Sequence, residues 1–443
     1  MLLGRRDFLV RTGMLLGAAG LGGVAAGCDR DGADSEGDSA ELAAATSSWA
    51  GVRAQFELDP KLRNFAAFLL SSHPRPVREA IDRHRRALDA NPAEYLHEHQ
   101  LELEGKVVGA AASYLGASPS DLALTDSTTM GLGLLYGGIT VREGQEILTT
   151  EHDFYSTHET LRLRALRSGA TVRRVRLYDE GSAATEDELV SRIVDAVRPN
   201  TRVVALTWVH SGAGVKLPIA AIVAALNERR QGDLDSRLLL CVDAVHALGV
   251  EEMDLDALGC DFLVAGCHKW LFGPRGTGVV WGAGEAWGAC EATIPSFTDN
   301  EEFVAWLESR APREATSAQT MTPGGYHSFE HRWALTEAFE FQRSIGIEHV
   351  AGRTRELAGR LKEGLSEIGG LKLHTPVAGE LSGGLVCFEL GDQRPEQVVQ
   401  DLRGKSMVAS VTPYAQPYVR LGTTVLLTED DVDAAVRAVA ALA

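Results

Sequence analysis

Asp243 and Lys269 are the residues whose chemistry most needs explaining. Asp243 closes the apolar run Leu238 to Val242, and Lys269 follows a second run, Phe262 to Ala265, just before the turn Gly273-Pro274-Arg275-Gly276. Short apolar runs bounded by turn residues read as buried strands. A lysine at the end of such a strand is costly as an ammonium ion, because burial disfavours the charged form. The pair suits another use: an amine that forms an imine with pyridoxal 5′-phosphate (PLP), and a carboxylate held against the pyridinium nitrogen of the same cofactor. Alone, an aspartate at a strand end is a cap and a lysine before a loop is solvated, so the surroundings decide.

Those surroundings alternate. From Leu101 onward, strand-like runs (Glu146–Thr150, Val172–Leu177, Val203–Val209, Leu238–Val245, Phe262–Ala265, Gly278–Trp281) are separated by helical patterns at Ser156–Ser168, Thr185–Val197 and Pro218–Arg230. Thr185 with Glu188 has the spacing of a capping box. Strands spaced by such helices imply βαβ units and an α/β fold, with a mostly parallel central sheet covered by helices on both faces. After the break at Pro323-Gly324-Gly325, helices dominate (Trp333–Ile345, His349–Ile368). A short α+β portion then ends in the helix Thr428–Leu442, with Val432, Val436 and Val439 on one face. The expected division is an N-terminal segment and large cofactor-binding domain over 51–322 and a small C-terminal domain over 323–443.

A chain of 443 residues with 45% hydrophobic and 23% charged residues is ordinary for a globular protein with two folding units. Its net charge of −18 argues against a nucleic-acid partner. Residues 1–28 read as a twin-arginine export signal: Arg5-Arg6-Asp7-Phe8-Leu9, then a weakly apolar Gly/Ala-rich run too short to span a bilayer. Ala25-Ala26-Gly27-Cys28 has the form of a lipoprotein cleavage box, making Cys28 a candidate lipid anchor. The expected location is therefore the periplasm or a membrane tether. Residues 29–50 are acidic and poor in bulky apolar residues, the composition of a disordered linker. Cys241, Cys260, Cys267 and Cys387 sit in apolar runs and read as core residues, not as a disulfide framework.

Further motifs fall in a consistent order. Asp126-Ser127-Thr128-Thr129 precedes an apolar helix, and hydroxyls with free amides at a helix N-terminus make an anion site. Glu151-His152 follows a strand, His246 stands three residues after Asp243, and Cys267-His268-Lys269-Trp270 carries the lysine. Tyr418-Val419-Arg420-Leu421-Gly422 places an arginine near the C-terminus. Over roughly Asn64 to the C-terminus, this series resembles the class V aminotransferase family of fold type I PLP enzymes. It is most similar to the isopenicillin N epimerase-like branch, in which a Cys-His-Lys-Trp run also holds the lysine.

The resemblance implies roles. Lys269 would be the Schiff-base lysine and Asp243 the partner of the pyridine nitrogen. Ser127, Thr128, Thr129 and His268 would hold the phosphate. His152 would stack on the ring, His246 would contact the phenolic oxygen or the ring, and Ser211 would reach the same oxygen. Arg420 would grip the substrate α-carboxylate, a task that suits a guanidinium fork. A homodimer with shared active sites is also implied. Lys269 would be the acid/base at the α-carbon of an amino acid, in an epimerase, racemase or aminotransferase, with C–S lyase-like β-elimination as the alternative. Cysteine desulfurases of this family need a loop cysteine shortly before the arginine, and Gly404 to Ala409 contains none. Two other readings compete: a non-catalytic PLP-binding protein, and a zinc hydrolase. The latter rests on the H-x-x-E-H pattern of His327, Glu330 and His331, which would need both histidines on one helix face.

Overall fold

Seven short strands pair into one sheet. The computed structural model describes residues 40–311 and 316–443; the export signal, Cys28 and most of the expected linker lie outside the described residues. After a two-residue strand Arg63–Asn64 (β1), the sheet is built from Leu122–Thr125 (β2), Glu146–Thr150 (β3), Thr171–Val175 (β4), Thr201–Thr207 (β5), Leu239–Asp243 (β6), Phe262–Gly266 (β7) and Gly278–Gly282 (β8). The order is β2-β8-β7-β6-β5-β3-β4, and β8 runs antiparallel to both its neighbours while the other pairings are parallel.

Residues within the inner strands alternate between two cores. Leu240 and Val242 of β6 join Val204, Leu206 and Leu263 on one face, while Leu239 and Cys241 join Val203, Ala205 and Phe262 on the other. Both faces are covered, so these strands read as continuous apolar runs rather than alternating ones. On the second face, helix Thr128–Gly138 lies so close that a Cβ on Gly131 would come within 2.6 Å of Val264 Cγ1. Leu122–Thr125 is absent from the sequence-based strands: Leu-Ala-Leu-Thr is too short and too poor in β-branched residues to distinguish from helix.

A second sheet is antiparallel. It orders Leu371–Leu373 (β9), Leu385–Leu390 (β10), Ser410–Val411 (β12) and Val419–Gly422 (β13) as β12-β13-β10-β9, and Met407–Val408 (β11) instead pairs with β1. Its helices are Ile347–Ser366, Pro395–Gly404 and Glu429–Ala440. The last is started by a reciprocal capping box between Thr428 and Asp431. At Thr185 the box is half made: the hydroxyl accepts Glu188 N, but the Glu188 carboxylate pairs with Arg192 at 2.7 Å.

Two expected boundaries move. Leu335, Ala338 and Phe339 of helix Leu335–Ile345 pack into the large-sheet core, whereas Phe65, beside β1, packs into the core of the small sheet. Residues on both sides of 323 thus contribute to each core, and the segment at β1 joins the C-terminal strands in the small one. Ordered structure also reaches back into the expected tether: residues 40–45 are helical, and the buried Thr46 hydroxyl donates to Leu42 O at 2.8 Å and to Ser344 O at 3.2 Å.

Candidate active site

The carboxyl ends of β5, β6 and β7 meet at one edge, with Thr207 beside Asp243 and Asp243 beside Val264. A cavity of about 170 Å³ opens there, lined among others by Ser127, Thr128, Thr129, Thr207, Ser211, Asp243, His246, His268, Lys269 and Arg420. Ligands of open α/β sheets bind at this edge.

Lys269 Nζ lies 3.2 Å from His246 Nε2, and His246 Nδ1 accepts the Trp270 indole N–H at 3.2 Å. An imidazole that accepts at Nδ1 carries its proton at Nε2 when neutral, so it can donate to Lys269 when that amine is neutral. Burial acts in the same sense: it pushes the Lys269 ammonium down to about 8, against the opposing pull of Asp243, and holds His246 well below its ordinary value. Asp243 is pushed up to about 6 by burial; Val245 N donates to its Oδ1 at 3.0 Å, and the carboxyl otherwise faces the cavity.

The backbone carrying Lys269 is pinned from afar. Ser71 N and Ser71 Oγ both donate to His268 O, at 3.0 and 3.1 Å, and Gln342 donates to Trp270 O at 2.9 Å. Phe272 adopts a left-handed conformation (φ 60°) that costs a non-glycine residue of order 1–3 kcal/mol. Its buried ring, edge-on to Phe56 at 5.1 Å, keeps it there. The chain can therefore turn sharply after the lysine.

At the opposite end, Ser127 caps helix Thr128–Gly138 by accepting Met130 N, and no acidic residue occupies the first turn. Thr128 Oγ1 accepts Gly266 N at 2.9 Å, tying this helix to the end of β7. A Cβ on Gly266 would fall 2.9 Å from both Thr128 Oγ1 and the His268 ring, so glycine is what lets the three approach. His268 is kept neutral by burial, which lowers it to about 4.

Arg420 comes from the small sheet. Only 2% exposed, it donates through Nε to Ser410 Oγ (3.2 Å) and through Nη1 to Ser211 O (2.9 Å), with its guanidinium 4.7 Å from the Phe68 ring centroid. Among the described residues no carboxylate pairs with it. A buried cation without a counter-ion is costly, and it is the natural partner for an incoming anion.

One predicted residue is not at the cavity. His152 stacks on Tyr178 (centroids 3.8 Å, 10°) and its Nε2 accepts Leu177 N at 3.2 Å, while Phe154 lines the wall. The cause is Asp153, which accepts Thr149 Oγ1, Thr150 N and Thr150 Oγ1 through one oxygen and Thr207 N through the other. That knot turns the chain so that the residues flanking it part ways. Sequence reasoning also missed Phe68, Leu69, Pro413 and Tyr414. No local pattern marks them, because each is brought in by a contact between distant segments. The loop entering the cavity ahead of Arg420 is 412–418, not 404–409, where Met407 and Val408 are tied into β11; it too has no cysteine.

The two histidines of the H-x-x-E-H pattern do not share a helix face. The helix is Phe329–Trp333, so His327 precedes it, 3.6 Å from Glu104, while His331 Nδ1 meets Arg275 O at 3.0 Å. Among the described residues no cluster of three or more His, Cys, Asp or Glu has the geometry of a metal site.

Residues 71–420 match the family description Aminotransferase class-V. The chain belongs to this family. It is 28% identical over 355 residues to isopenicillin N epimerase of Amycolatopsis lactamdurans (77% of this chain, 85% of the relative) and 27% identical over 405 residues to that of Streptomyces clavuligerus (88% and 97%). A probable cysteine desulfurase of Streptomyces coelicolor is 26% identical (77% and 80%). Among solved structures, a mutant of the cystine C-S lyase C-DES with glycine covalently linked to the PLP cofactor superposes with a TM-score of 0.78 at 20% identity, covering 88% of this chain and 98% of that one. The fold is that of the fold type I PLP enzymes, and the protein is a PLP-dependent enzyme of class V.

The site fits that cofactor on its own geometry. A buried carboxyl faces the cavity, a helix N-terminus with three successive hydroxyls opens on it, burial disfavours the ammonium of a lysine there, and the buried Thr207 hydroxyl in the wall has no hydrogen-bond partner among the described residues. Ser127, Thr128, Thr129 and His268 would hold the phosphate, Asp243 the ring nitrogen, and Phe154 is placed to contact the ring.

Proposed function

We propose that this class V enzyme acts at the α-carbon of an amino acid, as an epimerase, racemase or aminotransferase. The observation that carries the reading is Arg420, a buried guanidinium with no ion-pair partner among the described residues, which shares a cavity with a lysine whose ammonium is disfavoured by burial. PLP, when bound, supplies the electron sink for a bond broken at that carbon. Arg420 receives the α-carboxylate, its plane already fixed by Ser211 O, Ser410 Oγ and the Phe68 ring. Lys269, its ammonium lowered to about 8 by burial, accepts the α-proton in its neutral form, and His246 holds the amine through its Nε2–H. Trp270 keeps His246 in the tautomer that can do so.

The cysteines do not support sulfur transfer. The five described cysteines are all buried, and burial pushes the thiol of Cys387 up to about 12, far from a thiolate. β-Elimination is the competing outcome for a substrate with a leaving group. All are separated by incubating the holoenzyme in deuterated water with the protein L-amino acids and their D-antipodes. Solvent deuterium at Cα with inversion marks epimerisation, amine transfer to a keto acid marks transamination, and ammonia with a keto acid from the same substrate marks elimination. No deuterium uptake and no keto acid across the panel would refute α-carbon chemistry. Export by the twin-arginine route, anchoring at Cys28 and a homodimer belong to the same proposal. Fractionation of cells carrying Arg5→Lys with Arg6→Lys, or Cys28→Ser, tests the first two, and sedimentation tests the third.

A further inference from the structure

A hydroxyl of the cavity wall pairs with a second one behind it, apart from the lysine. Ser211 Oγ and Tyr414 OH lie 2.8 Å apart, and Ser211 O also anchors Arg420, so one residue joins the carboxylate clamp to the phenol. The pairing is built in. Tyr414 sits on the loop 412–418, closed where Thr412 N donates to Tyr418 O (2.9 Å) and Tyr418 N donates to Thr412 Oγ1 (2.8 Å). Its ring covers Gly212, where a Cβ would approach to 3.3 Å, and meets Phe154 edge-on at 6.1 Å. No hydrogen bond among the described residues links Ser211–Tyr414 to Lys269–His246, yet Ser211 and Lys269 line the same cavity.

Inverting a carbon requires a proton to leave on one side and arrive on the other, and a single amine fixed by His246 serves one side. We propose that Ser211 and Tyr414 are the second proton-transfer group, which commits this site to inversion of an α-amino acid rather than to transamination. In one direction Lys269 Nζ takes the α-proton. The Ser211 O–H bond breaks as the new C–H bond forms, and the Tyr414 hydroxyl proton passes to Ser211 Oγ, leaving a phenolate. Arg420 lies where its charge favours the phenolate, against burial, which pushes the phenol up to about 12. The Lys269 ammonium then loses a proton to water and the phenolate regains one, so the cycle closes with no oxidant or co-reactant. The reverse direction starts from the phenolate.

This inference rests on the α-carbon reading above, and the test separates the two. Holoenzyme in deuterated water is given each amino acid of the panel, and deuterium at Cα is followed in substrate and product antipodes by NMR. With two separate groups, the product antipode carries solvent deuterium from the first turnovers while unreacted substrate stays protiated. Tyr414→Phe and Ser211→Ala should each lower inversion by about 10²-fold or more, while Lys269, returning a solvent-exchanged proton to the face it came from, now puts deuterium into the substrate with retention. KM should hold in Ser211→Ala, because the carbonyl that anchors Arg420 belongs to the backbone. Melting temperature and the visible cofactor band verify that each variant is folded and loaded, and the two substitutions act on different elements, so misfolding of one leaves the other decisive. Inversion undiminished in either folded variant overturns the proposal and spares the α-carbon reading. Absence of exchange and inversion in the wild-type enzyme overturns both.

Discussion

Two cavities of this molecule differ in an instructive way. The larger, about 480 Å³, is walled by Pro295, Phe297, Phe303 and Trp306, and its rings stand in water: Trp306 is 72% exposed and Phe297 65%. The smaller, about 170 Å³, is walled by Asp243, His246, Lys269 and Arg420, all buried or nearly so. Volume favours the first, yet the chemistry sits in the second. Groups removed from water have their proton affinities moved toward neutrality and interact through a weaker dielectric, while exposed rings offer contact area and no reactivity.

The comparison can be broken at several points. Lys269→Ala should give the largest effect, a loss of about 10⁴-fold or more in turnover together with the imine absorbance of the holoenzyme; residual activity within tenfold of wild type would remove the small cavity's central group. Arg420→Ala should come next, by removing the charge-assisted contacts to a carboxylate. A raised KM of about 10²-fold is expected for amino acids, and Arg420→Lys should not restore it, because an ammonium lacks the fork. An equal fall for a decarboxylated amine substrate would contradict the assignment.

A smaller effect concerns acidity. In cofactor-free protein, labelling of Lys269 by trinitrobenzenesulfonate should level off above about pH 8, because burial lowers the ammonium from 10.5 to about 8. The fold favours the neutral form, so this contribution to stability is fully present above 10.5 and is lost as pH falls through about 8. Labelling that keeps climbing to pH 10 would mean the amine is solvated. Least affected should be Trp306→Ala, in the larger cavity, with kcat/KM altered by less than about twofold. A fall of tenfold or more would show that the exposed rings take part in the reaction.

Much of the site was legible because catalytic residues at strand ends leave local signatures. Asp243, His246, His268 and Lys269 follow apolar runs, Ser127 to Thr129 open a helix, and Arg420 lies in a short strand beside glycine; the fold brings all of them to one cavity. His152 was not, because a side chain's direction after a strand end depends on the turn, here dictated by Asp153 bonding to Thr207 on another strand. The parallel sheet was legible from its spacing, whereas β2 was too short, and chain order gave no sign that helix Leu335–Ile345 packs on the large sheet and Phe65 on the small one.

The sequence by itself therefore determined the alternation of buried strands and helices, the acid and amine at two strand ends, the helix-start hydroxyls and the arginine. These follow from local periodicity and composition, which short-range forces impose. The tertiary structure decided the tautomer of His246, the clamp of Phe68 and Ser211 on Arg420, the removal of His152 from the wall and the meeting of Tyr414 with Ser211. Each of these joins segments far apart in the chain, and only packing settles which side chains share a cavity and which of their protons are held there.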